Sequence, residues 1–362
     1  MDRYPFPPKH ILSILRKGVV IPAHPLALTA DRKLDYTRQS AITRYYIAAG
    51  AGGIAIGVHT TQFEIHDPKI ALYKPLLSLT SEVIDECSRK ISRPIIKIAG
   101  ICGSTNQAIQ EAKLASDMGY HAGLLSLSAL KNFSYDDLVL HSKKIAEFLP
   151  IFGFYLQPSI GGMILNFNFW RHFVEIENVV AIKIAPFNRY YTLDVIKAVA
   201  EAGRENEIAL YTGNDDNIVN DLLTIFSLKI KGEEKRLRIV GGLLGQWAIW
   251  TKRAVELLEK IHAIIESNQQ IPREILTLGA QITDANGAIF DAANNFSGCI
   301  PGIHEVLRRQ GLLKGIWCLN PKETLSPGQM EEIDRVYLAY PHLNDDEFVS
   351  KHLDAWLSGK LF

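Results

Sequence analysis

The sequence predicts a (β/α)8 (TIM) barrel followed by a C-terminal helical region. Two observations carry this. Short apolar runs alternate with amphipathic segments at least eight times, and the alternation stops near residue 268. Strict strand–helix alternation implies a parallel sheet, because each return crossing needs a helix, and eight such units close into a barrel. A doubly wound open sheet is the alternative. It is weakened at the first strand, which runs into Ile21-Pro22-Ala23-His24-Pro25 where such a sheet would carry a glycine-rich phosphate turn.

The strand candidates are Gly18–Ile21, Gly53–Val58, Ile95–Gly100, Ala122–Leu127, Ile151–Gln157, Val179–Ile184, Ile208–Thr212 and Leu237–Gly242. Each is a short apolar run with turn-forming residues near its ends. Between them, 35–49, 80–91, 105–118, 135–148, 169–176 and 193–202 show helical periodicity, and 247–266 is the long last helix. The charged stretch Ser227–Arg236 reads as a surface loop inserted before the eighth strand. The expected organisation is an N-terminal extension over 1–16, the barrel over 17–267 and a helical region over 268–362. In that last region 303–310 and 327–339 are the clearest segments.

Of 362 residues, 47% are hydrophobic, which suits a globular protein with a sizeable core. Thirty-nine basic residues balance 39 acidic ones without long single-sign runs. That argues against nucleic acid or an anionic membrane surface as partner. The first residues lack the basic-then-apolar pattern of a secretory signal, and no apolar run approaches membrane-spanning length. Cys87, Cys102, Cys299 and Cys318 are widely spaced. Free thiols, a cytoplasmic location and no structural metal are expected.

One residue breaks the pattern of the sixth strand. Lys183 interrupts Val179-Val180-Ala181-Ile182-Lys183-Ile184-Ala185-Pro186. Burial disfavours the ammonium form, so a buried lysine drifts toward a nucleophilic amine able to form an imine with a carbonyl. The plain alternative is a lysine snorkelling from a strand end or paired with a buried acid. Strand parity puts Ala181, Lys183 and Ala185 on one face, with small residues clearing space around the amine. The same reading divides the fifth strand into Phe152, Phe154 and Leu156 against Gly153, Tyr155 and Gln157, which aims Tyr155 inward beside Lys183. Lys97, in the third strand, is the rival lysine and should lie deeper. After the second strand, His59-Thr60-Thr61 offers hydroxyls and backbone N–H groups for a carboxylate, although for the pair taken alone ordinary loop threonines are the favoured reading.

These segments resemble the dihydrodipicolinate synthase / N-acetylneuraminate lyase family over roughly residues 17–345. The specific part is Tyr155-Leu156-Gln157-Pro158 followed, at a separation of 28 residues, by the Lys183 strand. Gly18–Ala23, Ala49–Ile54 and Thr60-Thr61 resemble other family segments. The resemblance implies an imine between Lys183 and a 2-oxo acid, pyruvate-type or a sugar acid. Tyr155 would carry protons and Thr60 and Thr61 would hold the carboxylate. It implies no cofactor, and a dimer or tetramer. The chain departs from the family at Gln62-Phe63-Glu64, where a glycine and glutamate are displaced. Ile160 stands where dihydrodipicolinate synthases keep an arginine, and 127–132 lacks the tyrosine supplied to a neighbouring subunit. True dihydrodipicolinate synthase activity is therefore not expected.

His24, Gln157, Arg189, Asn214, Asp215 and Gly242 follow strand ends and are further site candidates. The Asn-Asp run could equally be turn and cap chemistry, and Gly242 a tight turn. Two other functions stay open. One is a sugar-acid binder that lost the chemistry; the other is a metal-dependent hydrolase using His24, His59, Asp215 and Asp216.

Overall fold

The structure is a computed structural model that describes residues 4–267 and 270–362. The barrel strands are β1 (Val20–Pro22), β2 (Gly53–Ile56), β3 (Ile96–Ile101), β4 (Ala122–Leu125), β5 (Ile151–Leu156), β6 (Val179–Ala185) and β7 (Ala209–Thr212). The second half of β9 (Glu233–Leu244) completes the set. They pair in parallel in the order β1-β9-β7-β6-β5-β4-β3-β2. An isolated parallel bridge, Ala23 to Ala55, draws the two ends together. This is a (β/α)8 barrel. Helices α2 (Tyr36–Ala49) through α9 (Thr251–Ser267) surround it, and α10 (Arg273–Ile289) to α13 (Asp346–Leu357) follow.

The N-terminal extension is more than a tail. Residues 9–17 form α1, whose Ile11 and Leu15 are buried in the cluster that fills the barrel interior. The Tyr211 hydroxyl donates to the Leu15 carbonyl at 2.8 Å, so α1 plugs the N-terminal end of the barrel.

Ser227–Arg236 is a hairpin and not a loop. β8 (Ile225–Ile230) runs antiparallel to the start of β9 through a two-residue turn at Lys231 and Gly232. Both turn residues have positive φ, 50° and 92°, the twist such a tight hairpin requires. The charges conceal an alternation: Phe226, Leu228 and Ile230 share one face and pack on the core.

Strand β5 reverses the expected parity. Phe152, Phe154 and Leu156 belong to the interior cluster, while Tyr155 belongs to the layer beneath the helices. The β5–β6 ladder slips between Ile151 and Phe152, and with a period of two a one-residue slip sends every side chain to the other face. Outside, Tyr155 packs at a tilt on Trp170 and stacks with Tyr191, ring centres 5.4 and 5.9 Å away, and its hydroxyl accepts from the Leu165 N–H at 3.2 Å. Gly153 leaves room for the Phe173 ring, which a Cβ would approach to 2.8 Å.

The C-terminal helices are fastened through Asp345. Its carboxylate accepts from the Tyr45 hydroxyl of α2 at 2.7 Å, from the Lys252 N–H of α9 at 3.0 Å and from the Gln310 side chain at 2.8 Å. Asp345→Ala leaves the Tyr45 hydroxyl and the Lys252 N–H without an acceptor, and leaves Gln310 with Asp346 alone. A loss on the order of 3 kcal/mol is expected, because each unpaired buried group costs ~1–3 kcal/mol. Urea unfolding followed by tryptophan fluorescence reads it, and an unchanged midpoint would show that the docking does not depend on this carboxylate.

Candidate active site

Strand β6 presents Ala181, Lys183 and Ala185 to the interior. The Lys183 amine lies at the C-terminal end of the barrel, 4.5 Å from the centre of the Phe154 ring. The side chain is 8% exposed. Desolvation pushes its pKa down to about 8, opposed by the negative charge of Asp215. Small neighbours make this possible. A Cβ on Gly213 would stand 2.6 Å from Lys183 Cε and 2.7 Å from Ala185 Cβ, so only glycine at the end of β7 admits the lysine stem.

The amine opens into a pocket with an empty volume of about 540 Å³. His59, Thr60, Gln157, Lys183 and Asp215 line it, together with Phe154, Ile160, Phe187, Phe290, Phe296, Cys299 and Ile303. Asp215 is the carboxylate facing the amine. Burial raises its pKa to about 7 against the Gln246 N–H, which it accepts at 3.1 Å, and the Lys183 charge. His59 is held neutral, near 4, first by burial and then by the charge of Lys183.

The two threonines act mainly as a strap. The Thr60 hydroxyl donates to the Ala23 carbonyl at 2.7 Å and the Thr61 hydroxyl to the His24 carbonyl at 2.7 Å. A hydroxyl has one proton, so neither is aimed as a donor at a carboxylate. Thr61 also accepts the Gly57 and Val58 N–H groups, while Thr60 still lines the pocket. Within the turn, Thr61 N–H bonds Val58 and Gln62 N–H bonds His59, which leaves the N–H groups of His59 and Thr60 outside its ladder.

Other candidates stand away from the pocket. The Tyr155 phenol is outside the barrel, and Phe154 occupies the place expected for it beside the amine. His24 is buried among Pro25, Gln39 and Thr43, and burial lowers it to about 4. Arg189 turns to Asp221. Asn214 donates to Asp221 at 2.9 Å and accepts the Phe187 N–H at 3.0 Å, so it positions that phenylalanine. Gly242 exists to clear Trp247, whose ring a Cβ would meet at 2.6 Å.

His24, His59, Asp215 and Asp216 do not gather into a ligand set. Among the described residues the grouping with metal-ligand spacing is His66, Cys102 and Glu111. There both histidine nitrogens are engaged, Nδ1 with Glu111 at 2.9 Å and Nε2 with the Gly57 carbonyl at 3.0 Å. Burial works against the His66 charge, yet Cys102 and Glu111 raise it to about 10. His66 and Glu111 form an ion pair that ties the segment after β2 to α4 (Thr105–Asp117), with Cys102 beside them.

Sequence reasoning missed the roof. Phe290, Phe296, Cys299 and Ile303 come from the C-terminal region, more than a hundred residues beyond Lys183. No local periodicity announces such a contact.

The sequence model of the dihydrodipicolinate synthetase family matches residues 18–226. The chain belongs to this family. A search of curated proteins by sequence found no match. Solved structures resemble most of its length. Dihydrodipicolinate synthase from Oceanobacillus iheyensis superposes with TM-score 0.72 at 17% identity, covering 92% of this chain and 99% of that one. The chloride-inhibited synthase from Acinetobacter baumannii, complexed with pyruvate, gives 0.71 at 20%, covering 89% and 98%. N-acetylneuraminate lyase from Fusobacterium nucleatum gives 0.68 at 17%, covering 90% and 99%. At these identities the likeness carries the fold, and the chain is a divergent member. Membership supports a lyase of the class I aldolase type. No helix among the described residues is long and apolar enough to cross a membrane.

The opposition of Lys183 and Asp215 can be read directly. In ¹³C-dimethyl-lysine NMR titration Lys183 should titrate near 8, well below the ~10.4 of an ordinary lysine. Asp215→Asn removes the charge that favours the ammonium form, so the value should fall further. A rise in that variant would contradict the assignment.

Proposed function

We propose that this protein is a Schiff-base-forming lyase acting on a 2-oxo acid through an imine of Lys183, by aldol cleavage or condensation or by dehydration. The observation that supports it most is a buried amine, its pKa lowered by desolvation, at the C-terminal end of β6 and facing a pocket. Pyruvate bound to the Acinetobacter baumannii relative agrees with a small 2-oxo acid.

In this reading Nζ attacks C2 of the oxo acid, and the carbinolamine loses its hydroxyl as water to give the iminium. For aldol cleavage, the C4 hydroxyl gives its proton to Asp215, the C3–C4 bond breaks and its electron pair flows into the iminium. An aldehyde leaves, and the enamine is protonated at C3 and hydrolysed back to amine and 2-oxo acid. Asp215 takes the proton-carrying role expected of Tyr155. Its raised pKa lies near neutral pH, where a group can both accept and return a proton. The N–H groups of His59 and Thr60 are the donors for the substrate carboxylate, with Gln157 beside them.

One observation favours a rival, a sugar-acid binder without turnover: a phenylalanine, not a phenol, lies against the amine. Borohydride reduction in the presence of pyruvate separates the two. Under the lyase reading it adds mass to the Lys183 peptide, and Lys183→Ala abolishes the adduct. Asp215→Asn should slow aldehyde release from a 4-hydroxy-2-oxo acid roughly 100-fold, the low end of the ~10²–10⁴ that general acid–base groups contribute. Tyr155→Phe should stay within about threefold, since that hydroxyl is outside the barrel and, on the mutational scale, loses only one ordinary hydrogen bond. Absence of any adduct would overturn the lyase.

A further inference from the structure

Beyond the amine, the pocket is apolar to an unusual degree for a site expected to take acids. Its far walls are Ile160, Phe187, Phe290, Phe296 and Ile303, with Phe154 beneath the amine. Among the described lining residues the only cation is Lys183, whose nitrogen becomes the iminium beside the substrate's first carboxylate, and His59 is neutral. Arg189, the guanidinium considered for the site, pairs with Asp221 through Nη1 and does not line the pocket. A second carboxylate on the substrate would therefore be desolvated without a partner, which is costly. A polyhydroxylated tail fares little better. Thr60 has given its proton to Ala23 and Asp215 is taken by the C4 hydroxyl, so Gln157 and His59 would have to satisfy the remaining hydroxyls, and each buried hydroxyl left unpaired weakens binding.

The apolar roof is built, and not a gap left by chance. Phe187 and Phe296 meet edge to face, ring centres 5.8 Å apart at 84°. Both hold left-handed backbone, φ 52° and 66°, which disfavours any side chain but glycine's. Each is pinned there. The Phe187 N–H donates to Asn214 Oδ1 at 3.0 Å, and the Phe296 N–H to the Asp291 carbonyl at 3.0 Å. Gln329 and Asp291 fix the rest of the Phe296 loop through Gly298, whose carbonyl accepts from Gln329 at 3.0 Å and whose N–H donates to Asp291 at 2.9 Å. Strain of this kind persists where the surroundings over-determine it, and such positions cluster at binding sites.

We infer that the 2-oxo acid carries an aryl or alkyl tail, seated between Phe187, Phe296 and Ile160, so that cleavage releases an apolar aldehyde. This rests on the Lys183 imine proposed above. Aromatic walls favour such a tail by burying its surface and stacking on its face.

Competitive borohydride trapping tests the inference and its foundation separately. The probes are pyruvate, 2-oxo-4-phenylbutanoate, 2-oxoglutarate and 2-oxo-3-deoxygluconate, each at equal subsaturating concentration, with the Lys183 adducts resolved by mass. The phenyl acid should be trapped at least tenfold faster than the dicarboxylic and hydroxylated acids. In Phe296→Arg and Ile160→Arg the ratio of 2-oxoglutarate to phenyl adduct should rise at least tenfold. The ratio is read within one sample, so partial loss of folded protein cancels. Adducts with pyruvate but equal or greater trapping of the charged or hydroxylated acids would overturn the inference and leave the lyase standing. An unchanged ratio in both arginine variants would also overturn it. No adduct with any acid would remove the lyase reading, and this inference with it.

Discussion

Keeping water from an amine brings its pKa down toward physiological pH, and here that exclusion depends on a roof supplied by the far end of the chain. Lys183 belongs to the barrel, but Phe290, Phe296, Cys299 and Ile303 belong to the helices beyond it. Those helices remain docked because Asp345 gathers donors from α2, α9 and the end of α11 (Cys299–Arg309) around one carboxylate. Further ties run from α10, where the Asn286 side chain donates to the Asp215 carbonyl at 2.7 Å. The loop bearing the acid is thus held by the same region that dries the base. Fold stability and the chemistry of the amine share one set of bonds.

The barrel strands were legible because burial on both faces leaves runs too apolar to be anything else. Lys183 was legible for the converse reason, as a charge where the run allowed none. Its facing followed from Ala181 and Ala185, small on one side of the strand. The same parity failed one strand earlier, where Tyr155 had an outer layer of Trp170 and Tyr191 to stack on and the interior, lined by alanines from β4, β6 and β7, had room for Phe152 and Phe154. Aromatic residues suit either face, so which face they take is decided by neighbours that no local pattern reveals. The motif around Tyr155 resembles the family's in letters, yet here its phenol lies outside the barrel.

Other misreadings share a cause. The hairpin of β8 and β9 looked like a charged loop because each apolar residue is flanked by polar ones, the ordinary signature of a strand with one wet face. His24 and Asn214 were placed correctly at strand ends, yet their polar atoms are spent on the scaffold. A strand end identifies the right surface of a barrel, and hydrogen-bond partners then decide which residues there are free to meet a ligand. Gly213 carries the opposite lesson, since its contribution is absent volume, visible only once the lysine stem lies against it.

The hairpin leaves one more consequence. It rises from the start of β9, at the rim opposite the Lys183 mouth, and its turn at Lys231 and Gly232 is exposed. β8 pairs on one side only, so its outer edge presents unpaired backbone to solvent, guarded by Ser227 and Lys229, as natural sheet edges are guarded against pairing with other chains. A tether or fluorophore grafted at that turn would immobilise or report on the whole barrel while standing a full strand length from the chemistry. The molecule thus separates the end by which it can be held from the end at which it reacts.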